Sequence, residues 1–351
     1  MNNSKRSLRP NKIRFAIDTK DEKTKDEIML ELESGRITLG EEKYLITEIQ
    51  LKEMLLHADD LGSGAQGDVK RINFHNHSIA VKQIKIDDLN LFKQALKELN
   101  VLRKVKQDMN FQYIVRYFGY VIVNEPKYIY IFMEELIMCL DKFQSRIKTF
   151  PESIVGNIAF DVINALNYLK ENHQIIHRDV KPSNMLIDKE GNIKLSDFAV
   201  SGELNNSVAK TKTLRGHFQY LAPERIDESQ NSVYDARSDV WSLGISLYQL
   251  ATGKHLYSKL GCDENNEFVL LSFIEKHEPP RLTLEETTFS TEFCDFLNNC
   301  LVKNPKERPK YKSDGPNKGI MDHPFFIRAT MEQETAKKWL KEQILLVLSN
   351  K

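Results

Sequence analysis

Two short segments near the middle of the chain carry the residue types that phosphoryl transfer requires. Residues 177–184 read His-Arg-Asp-Val-Lys-Pro-Ser-Asn, and residues 197–199 read Asp-Phe-Ala. Transfer of a phosphoryl group to a hydroxyl needs a carboxylate that accepts the proton, ligands for Mg²⁺, and cations facing the charge on the transferred group. Together the two segments supply all of these groups, so they predict a phosphotransferase that uses ATP and Mg²⁺.

Each residue type suggests a role. Asp179 fits the proton acceptor, and Asn184 and Asp197 fit the metal ligands. Lys181 fits a cation near the γ-phosphate. His177 is expected to pack and form hydrogen bonds rather than act as a base.

A glycine-rich segment precedes them. Residues 62–69 read Gly-Ser-Gly-Ala-Gln-Gly-Asp-Val, and glycines let backbone amides approach phosphates without an intervening side chain. A flexible hairpin and a dinucleotide-binding turn are the alternatives, although strand-like residues follow where the latter needs a helix. Gly62, Gly64 and Gly67 are the candidate phosphate-binding residues.

A lysine ends the next predicted strand, Ile-Ala-Val-Lys at residues 79–82. Strand alternation places Ala80 and Lys82 on one face. Glu98, on the following predicted helix, could hold the Lys82 ammonium against the α- and β-phosphates. A surface lysine and a glutamate on a solvated helix face are the alternatives.

Two regions of different character must position these residues. The first is rich in strands with one inserted helix, and the second, after residue 136, is mainly helical. Strands are predicted at residues 62–74, 78–84 and 128–132. Helices are predicted at residues 89–102, 154–169, 239–250 and 293–301. The fold class is therefore α+β, and in the larger region Glu224 is expected to pair with Arg308.

Composition excludes several functional classes. The chain has 351 residues, 41% of them hydrophobic, and 50 basic residues balance 50 acidic ones. A balanced charge predicts neither nucleic-acid nor membrane binding, and no apolar stretch is long enough to cross a bilayer. The four cysteines lack metal-site spacing, so we expect a reduced protein in the cytoplasm or nucleus.

In order and content, these segments resemble the eukaryotic protein kinases over roughly residues 55 to 330. The resemblance implies a bilobal fold, with a small lobe at residues 55–135 and a larger lobe at 136–328. It also implies that the backbone of residues 134–136 binds adenine beside a gatekeeper methionine, Met133. The implied nucleotide-binding residues are Leu61, Gly62, Gly64, Gly67, Val69, Ala80, Lys82, Glu98, Met133, Glu134, Leu136 and Leu186.

Residues 201–211 and 220–227 narrow the resemblance to the MAP kinase kinases. They read Ser-Gly-Glu-Leu-Asn-Asn-Ser-Val-Ala-Lys-Thr and Tyr-Leu-Ala-Pro-Glu-Arg-Ile-Asp. In that family Ser207 and Thr211 would be the activating phosphosites, each phosphate adding about −1.5 to −2 charges beside Arg178. An ordinary polar loop is the alternative.

Further segments are similar to the stress-activated MAP kinase kinase 4 type. They lie at residues 192–195, 234–239 and 308–312. The resemblance implies a dual-specificity kinase that phosphorylates threonine and tyrosine in the activation loop of a MAP kinase of the c-Jun N-terminal kinase or p38 type. A MAP kinase kinase kinase would be its upstream activator.

The two ends of the chain suggest docking segments. Residues 1–54, charged and poor in aromatics, are predicted to form a mostly disordered tail. Within it, basic residues precede Ile-Arg-Phe-Ala-Ile at 13–17, which resembles a MAP kinase docking peptide; a solvated tail is the alternative. Residues 329–351 are predicted to be a helical tail that docks an upstream kinase or packs on the larger lobe.

The sequence departs from the family at Ala199, where glycine is usual, and at residues 213–218. A methyl group at position 199 restricts the backbone, which raises the alternative of a weakly active scaffold or allosteric partner. Retention of Lys82, Asp179, Asn184 and Asp197 favours an enzyme. A serine/threonine kinase outside MAP kinase cascades is a third hypothesis.

Overall fold

The computed structural model describes residues 33–64, 67–87, 89–105, 111–203, 218–226, 235–262, 266–279, 281–282 and 289–349. The chain divides into two compact units, Met1–Phe92 with Phe118–Met133, and Lys93–Tyr117 with Glu134–Lys351. None of the helices in the described ranges is long and apolar enough to span a bilayer.

A five-stranded sheet forms the centre of the first unit. Its strands are β3 (Asp59–Gly64), β4 (Gly67–Phe74), β5 (His77–Lys85), β6 (Tyr117–Asn124) and β7 (Lys127–Glu134). Their order in the sheet is β3-β4-β5-β7-β6, and the three predicted strand regions all fall within it. Ile79 and Val81 of β5 belong to the hydrophobic core, so by alternation Ala80 and Lys82 lie on the opposite face of the sheet.

The segment before this sheet is folded, which corrects part of the predicted disordered tail. β1 (Arg36–Leu39) and β2 (Glu42–Leu45) form an antiparallel hairpin, and α1 (Glu48–Leu56) follows. Thr47 and Gln50 form a reciprocal capping box that begins α1. The side chains of Ile37 and Leu51 are completely buried in the core of the sheet. Residues 33–54 were predicted to be disordered because a few apolar residues in a charged segment find their partners only in the tertiary structure.

The second unit is mainly helical. Its helices are α2 (Leu89–Val105, which begins in the first unit), α3 (Leu140–Ile147), α4 (Glu152–His173), α5 (Arg237–Thr252), α6 (Glu267–Lys276), α7 (Thr291–Cys300) and α8 (Pro324–Ser349). The predicted apolar face of α4 is buried throughout, at Ile154, Ile158, Val162, Leu166 and Leu169. Helices α3 and α4 contact the strands of two small sheets that carry the candidate site.

The first small sheet has the order β11-β10-β8, formed by β8 (Met138–Cys139), β10 (Met185–Ile187) and β11 (Ile193–Leu195). In the second, β9 (Ile175–Ile176) pairs with β12 (Gly202–Glu203). β9 leads directly into residues 177–184, and β11 leads directly into residues 197–199. The two sheets therefore deliver both predicted catalytic segments.

Helix α8 runs without a break across the predicted domain boundary at residues 328 and 329. Ala336, Leu340 and Ile344 are buried, so the predicted tail is part of the second unit. This agrees with the alternative that the helical tail packs on the larger region. Docking of an upstream kinase on this helix stays a prediction, and the docking peptide at residues 13–17 lies outside the described residues.

Candidate active site

The side chains of Asp179, Lys181 and Asn184 converge on one carboxylate oxygen. Lys181 Nζ lies 2.7 Å from Asp179 Oδ2, and Asn184 Nδ2 donates to the same oxygen at 2.9 Å. Asn184 Nδ2 also donates to the backbone carbonyl of Asp179 at 2.8 Å. All three side chains are almost fully buried. Among the residues that the structure describes, none donates to Asp179 Oδ1, so this oxygen remains to accept the proton of a hydroxyl group.

A buried carboxylate holds the backbone of this loop. Asp239, in the first turn of α5, accepts the N–H groups of His177 at 2.9 Å and Arg178 at 2.8 Å. Arg178 has a φ of 70°, a strained left-handed conformation for a residue with a side chain. Burial raises the pKa of Asp239 above its ordinary value, and the two backbone N–H groups only partly oppose this increase. The sequence indicated only an architectural role for Asp239, because its contact with the loop spans 62 residues.

His177 has the packing role expected of it. The Asp179 N–H points at His177 Nδ1 at 3.3 Å, which assigns Nδ1 as the acceptor and leaves Nε2 to donate to the Ser196 carbonyl at 3.0 Å. The imidazole also meets the buried Phe198 ring edge to face, with centroids 5.3 Å apart. Both ring nitrogens are therefore engaged within the protein.

Ser196 connects the two predicted metal ligands. Its N–H and its hydroxyl both donate to the Asn184 carbonyl, at 2.9 and 3.0 Å. Asp197 follows directly with a φ of 68°, the second strained residue of the site. These bonds bring the backbones of Asn184 and Asp197 together although the two residues are 13 positions apart in the sequence.

Ala199 fits this arrangement without strain. It does not share the left-handed backbone of Asp197, and its N–H lies 3.4 Å from Asp197 Oδ1. The methyl group therefore costs nothing in the conformation seen here. It would penalise any loop state that needs a positive φ at position 199.

The donor set fits Mg²⁺ better than a tightly held transition metal. No group of three or more His, Cys, Asp or Glu side chains that could hold a metal occurs in the described part of the chain. Because Asn184 Nδ2 is committed to Asp179, the amide oxygen of Asn184 is the atom left for a cation, and Asp197 is the predicted second ligand. One carboxylate and one amide oxygen suit Mg²⁺ that takes its remaining ligands from nucleotide phosphates and water.

The predicted base-binding residues of the second unit are Glu134, Leu136 and Leu186. The Glu134 N–H donates to the Arg116 carbonyl at 2.9 Å, so it is not available to a base. The Glu134 carboxylate forms a bidentate pair with Lys194 on β11, which the sequence did not indicate. Leu136 is buried and Leu186 half-buried, with Leu186 opposite Lys194 in the pairing of β10 with β11.

In the first unit, the glycine-rich segment is the hairpin of β3 and β4. Gly62 pairs with Val69, and Gly64 pairs with Gly67. Gly67 has a φ of 130°, and an added Cβ would lie 2.1 Å from the Gln83 carbonyl oxygen, so only glycine fits. The hairpin geometry agrees with the phosphate-binding and flexible-hairpin readings and excludes the dinucleotide-binding turn, which needs a helix here.

Other predicted residues of the first unit lie on or beside this hairpin. Val69 pairs across the strands with Lys82, and a register shift lies between Asp60 and Gly62, at Leu61. Ala80 and Lys82 are buried, and Met133, near the end of β7, is half-buried.

Three further predictions concern Glu98, the two phosphosites and the pairing of Glu224 with Arg308. Glu98 on α2 is buried, but it belongs to the second unit and Lys82 to the first, so their pairing stays a prediction. Ser207 and Thr211 lie outside the described residues. The pairing of Glu224 with Arg308 is confirmed, with N–O distances of 2.8 and 3.1 Å.

Comparison with known proteins agrees with this geometry. The protein kinase domain family matches residues 56–326. Human dual specificity mitogen-activated protein kinase kinase 7 is 40% identical over 317 residues, which cover 88% of this chain and 70% of that protein. Two relatives from Caenorhabditis elegans carry the same dual specificity mitogen-activated protein kinase kinase name. Of these, mek-1 is 37% identical over 311 residues (88% of this chain, 83% of mek-1), and sek-1 is 37% identical over 299 residues (83% and 84%).

The family match covers well over half of the chain, and these relatives are similar along most of their own lengths. The buried Asp179–Lys181–Asn184 cluster lies inside the matched region, together with the glycine-rich hairpin. This chain belongs to the protein kinases and, within them, to the dual specificity mitogen-activated protein kinase kinases.

Proposed function

We propose that this protein transfers the γ-phosphate of ATP to threonine and tyrosine in the activation loop of a stress-type MAP kinase. The observation that carries the proposal is the convergence of Lys181 and Asn184 on Asp179 Oδ2. It leaves Asp179 Oδ1 to accept the hydroxyl proton, within a loop that the buried Asp239 carboxylate holds.

The remaining roles are proposed from the sequence and the resemblance to the family. Asn184 and Asp197 would hold Mg²⁺, which neutralises charge on the phosphates when it is bound. Lys181 would face the γ-phosphate, and Lys82 with the glycine-rich hairpin would bind the nucleotide phosphates. Phosphorylation of Ser207 and Thr211 by a MAP kinase kinase kinase would activate the enzyme.

The choice of substrate rests on similarity. Relatives named dual specificity mitogen-activated protein kinase kinase support a MAP kinase as the substrate. The segments at residues 192–195, 234–239 and 308–312 support the c-Jun N-terminal kinase or p38 type. Ala199 gives no support to a scaffold role, because its backbone needs no glycine in this structure.

A single-turnover assay tests the proposal. The Ser207→Glu, Thr211→Glu protein is mixed with Mg²⁺-ATP and inactive MAP kinases of both types, and phosphothreonine and phosphotyrosine are measured by mass spectrometry. We expect both products, and Asp179→Asn in the same background should slow their formation by about 10²- to 10⁴-fold. Asp295→Asn, which removes an exposed acid on α7, is the control and should leave the rate unchanged.

Three outcomes would contradict the proposal in different ways. Absence of any product on every MAP kinase tested would reject the substrate class. Phosphothreonine without phosphotyrosine would indicate an ordinary serine/threonine kinase. An unchanged rate with Asp179→Asn would show that Asp179 is not the proton acceptor.

A further inference from the structure

Three hydrogen bonds converge on the carboxylate of Glu134. Lys194 Nζ lies 2.8 Å from Oε1 and 2.7 Å from Oε2, and the Arg116 N–H donates to Oε1 at 2.7 Å. The Glu134 N–H in turn donates to the Arg116 carbonyl at 2.9 Å. Hydrogen bonds thus hold both the side chain and the backbone of Glu134 in place.

This ion pair is largely removed from water. The side chains of Lys194 and Glu134 are 8% and 17% exposed. Charges in such surroundings lose hydration, and loss of one partner leaves the other buried and uncompensated. A bidentate lysine on a buried carboxylate therefore holds its position far more firmly than an exposed pair would.

Lys194 lies next to predicted contacts for both the adenine base and the metal ion. In the pairing of β10 with β11 it lies opposite Leu186, one of the predicted adenine contacts. It precedes Asp197, a predicted metal ligand, by three residues. A second bond, from the Ile137 N–H to the Ile187 carbonyl at 2.9 Å, joins the segment after Glu134 to β10. Residues 134–137 are thus tied to β11 at one end and to β10 at the other.

We propose that Lys194 is a positioning residue for the nucleotide. By holding Glu134 from within β11, it keeps the backbone of residues 134–136 in a constant relation to Leu186 and Asp197. One short sheet then aligns the groups that would contact adenine with the groups that would hold the metal-bound phosphates. This inference rests on the proposed function, because it takes residues 134–136 as the base-binding segment.

A purely structural ion pair would behave differently. If the pair only stabilised the fold, its loss would lower the melting temperature and leave the affinity of the folded protein for nucleotide unchanged. A positioning role predicts weaker nucleotide binding at temperatures where the variant is fully folded, since misplaced contacts lose binding energy. The Michaelis constant for the MAP kinase substrate should not move.

The experiment measures binding of a fluorescent ADP analogue with Mg²⁺ to the full chain, together with melting temperatures and Michaelis constants. Lys194→Met should raise the Kd for the analogue about tenfold, equivalent to about 1.4 kcal/mol. Lys194→Arg keeps the charge and should stay within about threefold of the parent protein, or about 0.65 kcal/mol. Glu134→Gln removes the charge but keeps an acceptor for the Arg116 N–H, so it should show an intermediate loss.

The control is Arg328→Met, which breaks the partly buried pair of Arg328 with Glu152 on α4. It should lower the melting temperature without changing the Kd. Equal Kd values for the parent and Lys194→Met proteins would overturn the inference, as would tighter binding. If Lys194→Met fails to fold, Glu134→Gln decides between the same outcomes, since an unchanged Kd for that variant would also overturn the inference. Failure of the parent protein to bind the analogue at all would instead refute the proposed function.

Discussion

A buried acid on α4 makes the stability of this protein depend on pH in an unusual direction. Asp161 is 1% exposed, and its Oδ2 accepts the Ile193 N–H at 2.9 Å. Its other oxygen is buried, and no partner for it occurs among the described residues. The same is true of both polar side-chain atoms of Asn157, one helical turn earlier.

Burial of this carboxyl group raises the pKa of Asp161 from 3.8 to about 7. The Ile193 N–H and the charge of Lys337 on α8 act against this increase, and the charge of Asp188 adds to it. The folded protein therefore binds a proton at Asp161 that the unfolded chain releases near pH 4. Folding is favoured most below that value, and the advantage is lost as the pH rises through about 7.

The size of the effect follows from the two pKa values. At about 1.36 kcal/mol per pH unit, the difference between 3.8 and about 7 corresponds to about 4 kcal/mol. Asp161→Asn cannot ionise, and its side-chain oxygen can still accept the Ile193 N–H. Part of this difference is already lost below pH 5, so we expect the stability of the variant relative to the parent protein to rise by about 3 kcal/mol between pH 5 and pH 8.5.

Urea unfolding followed by circular dichroism at several pH values measures this difference. Its change with pH is the decisive quantity, because the amide adds a constant offset from its own unpaired N–H group. Glu334→Gln, which removes an exposed acid from α8, controls for the loss of one negative charge. Parallel stability curves for the parent and Asp161→Asn proteins would refute the reasoning, since they would mean that the carboxylate is stabilised as an ion inside the protein.

Two further predictions concern the first unit. Leu51→Ala should destabilise it by about 2–5 kcal/mol in urea unfolding, because the side chain is fully buried in the core of the sheet. An unchanged unfolding midpoint would instead support the original prediction that this segment is disordered. Gly67→Ala should destabilise the glycine-rich hairpin by about 1–3 kcal/mol and raise the Michaelis constant for ATP, because the new methyl group meets the Gln83 carbonyl. Gly40→Ala has a positive φ without such a clash, so an equal effect there would rule out the clash as the cause.

Local residue patterns were sufficient to propose the chemistry of the site. The roles proposed for Asp179, Lys181, Asn184 and Asp197 rest on residue type and order, since phosphoryl transfer needs few groups and they lie in two short segments. Several longer strands and helices were also predictable, because alternation and helical periodicity are visible within a window of about 11–18 residues. The short strands β9 and β11, which lead into the two segments, were not predicted. The pairing of Glu224 with Arg308, 84 positions apart, was predicted because both residues complete the set of recognised segments, and it is confirmed.

The tertiary structure decided how these groups are held. Asp239 meets His177 across 62 residues, Glu134 meets Lys194 across 60, and Asp161 meets Ile193 across 32. A lone Asp or Lys in a sequence is more often solvated than buried, and only the packing of distant elements removes its water. The folded N-terminal segment escaped prediction for the same reason, because the few apolar residues at 37–51 acquire their meaning only against the sheet. The spacing of residues along the chain thus indicated which chemistry is possible. Burial depends on all neighbours at once, and it determined which charged residues hold the site residues in place.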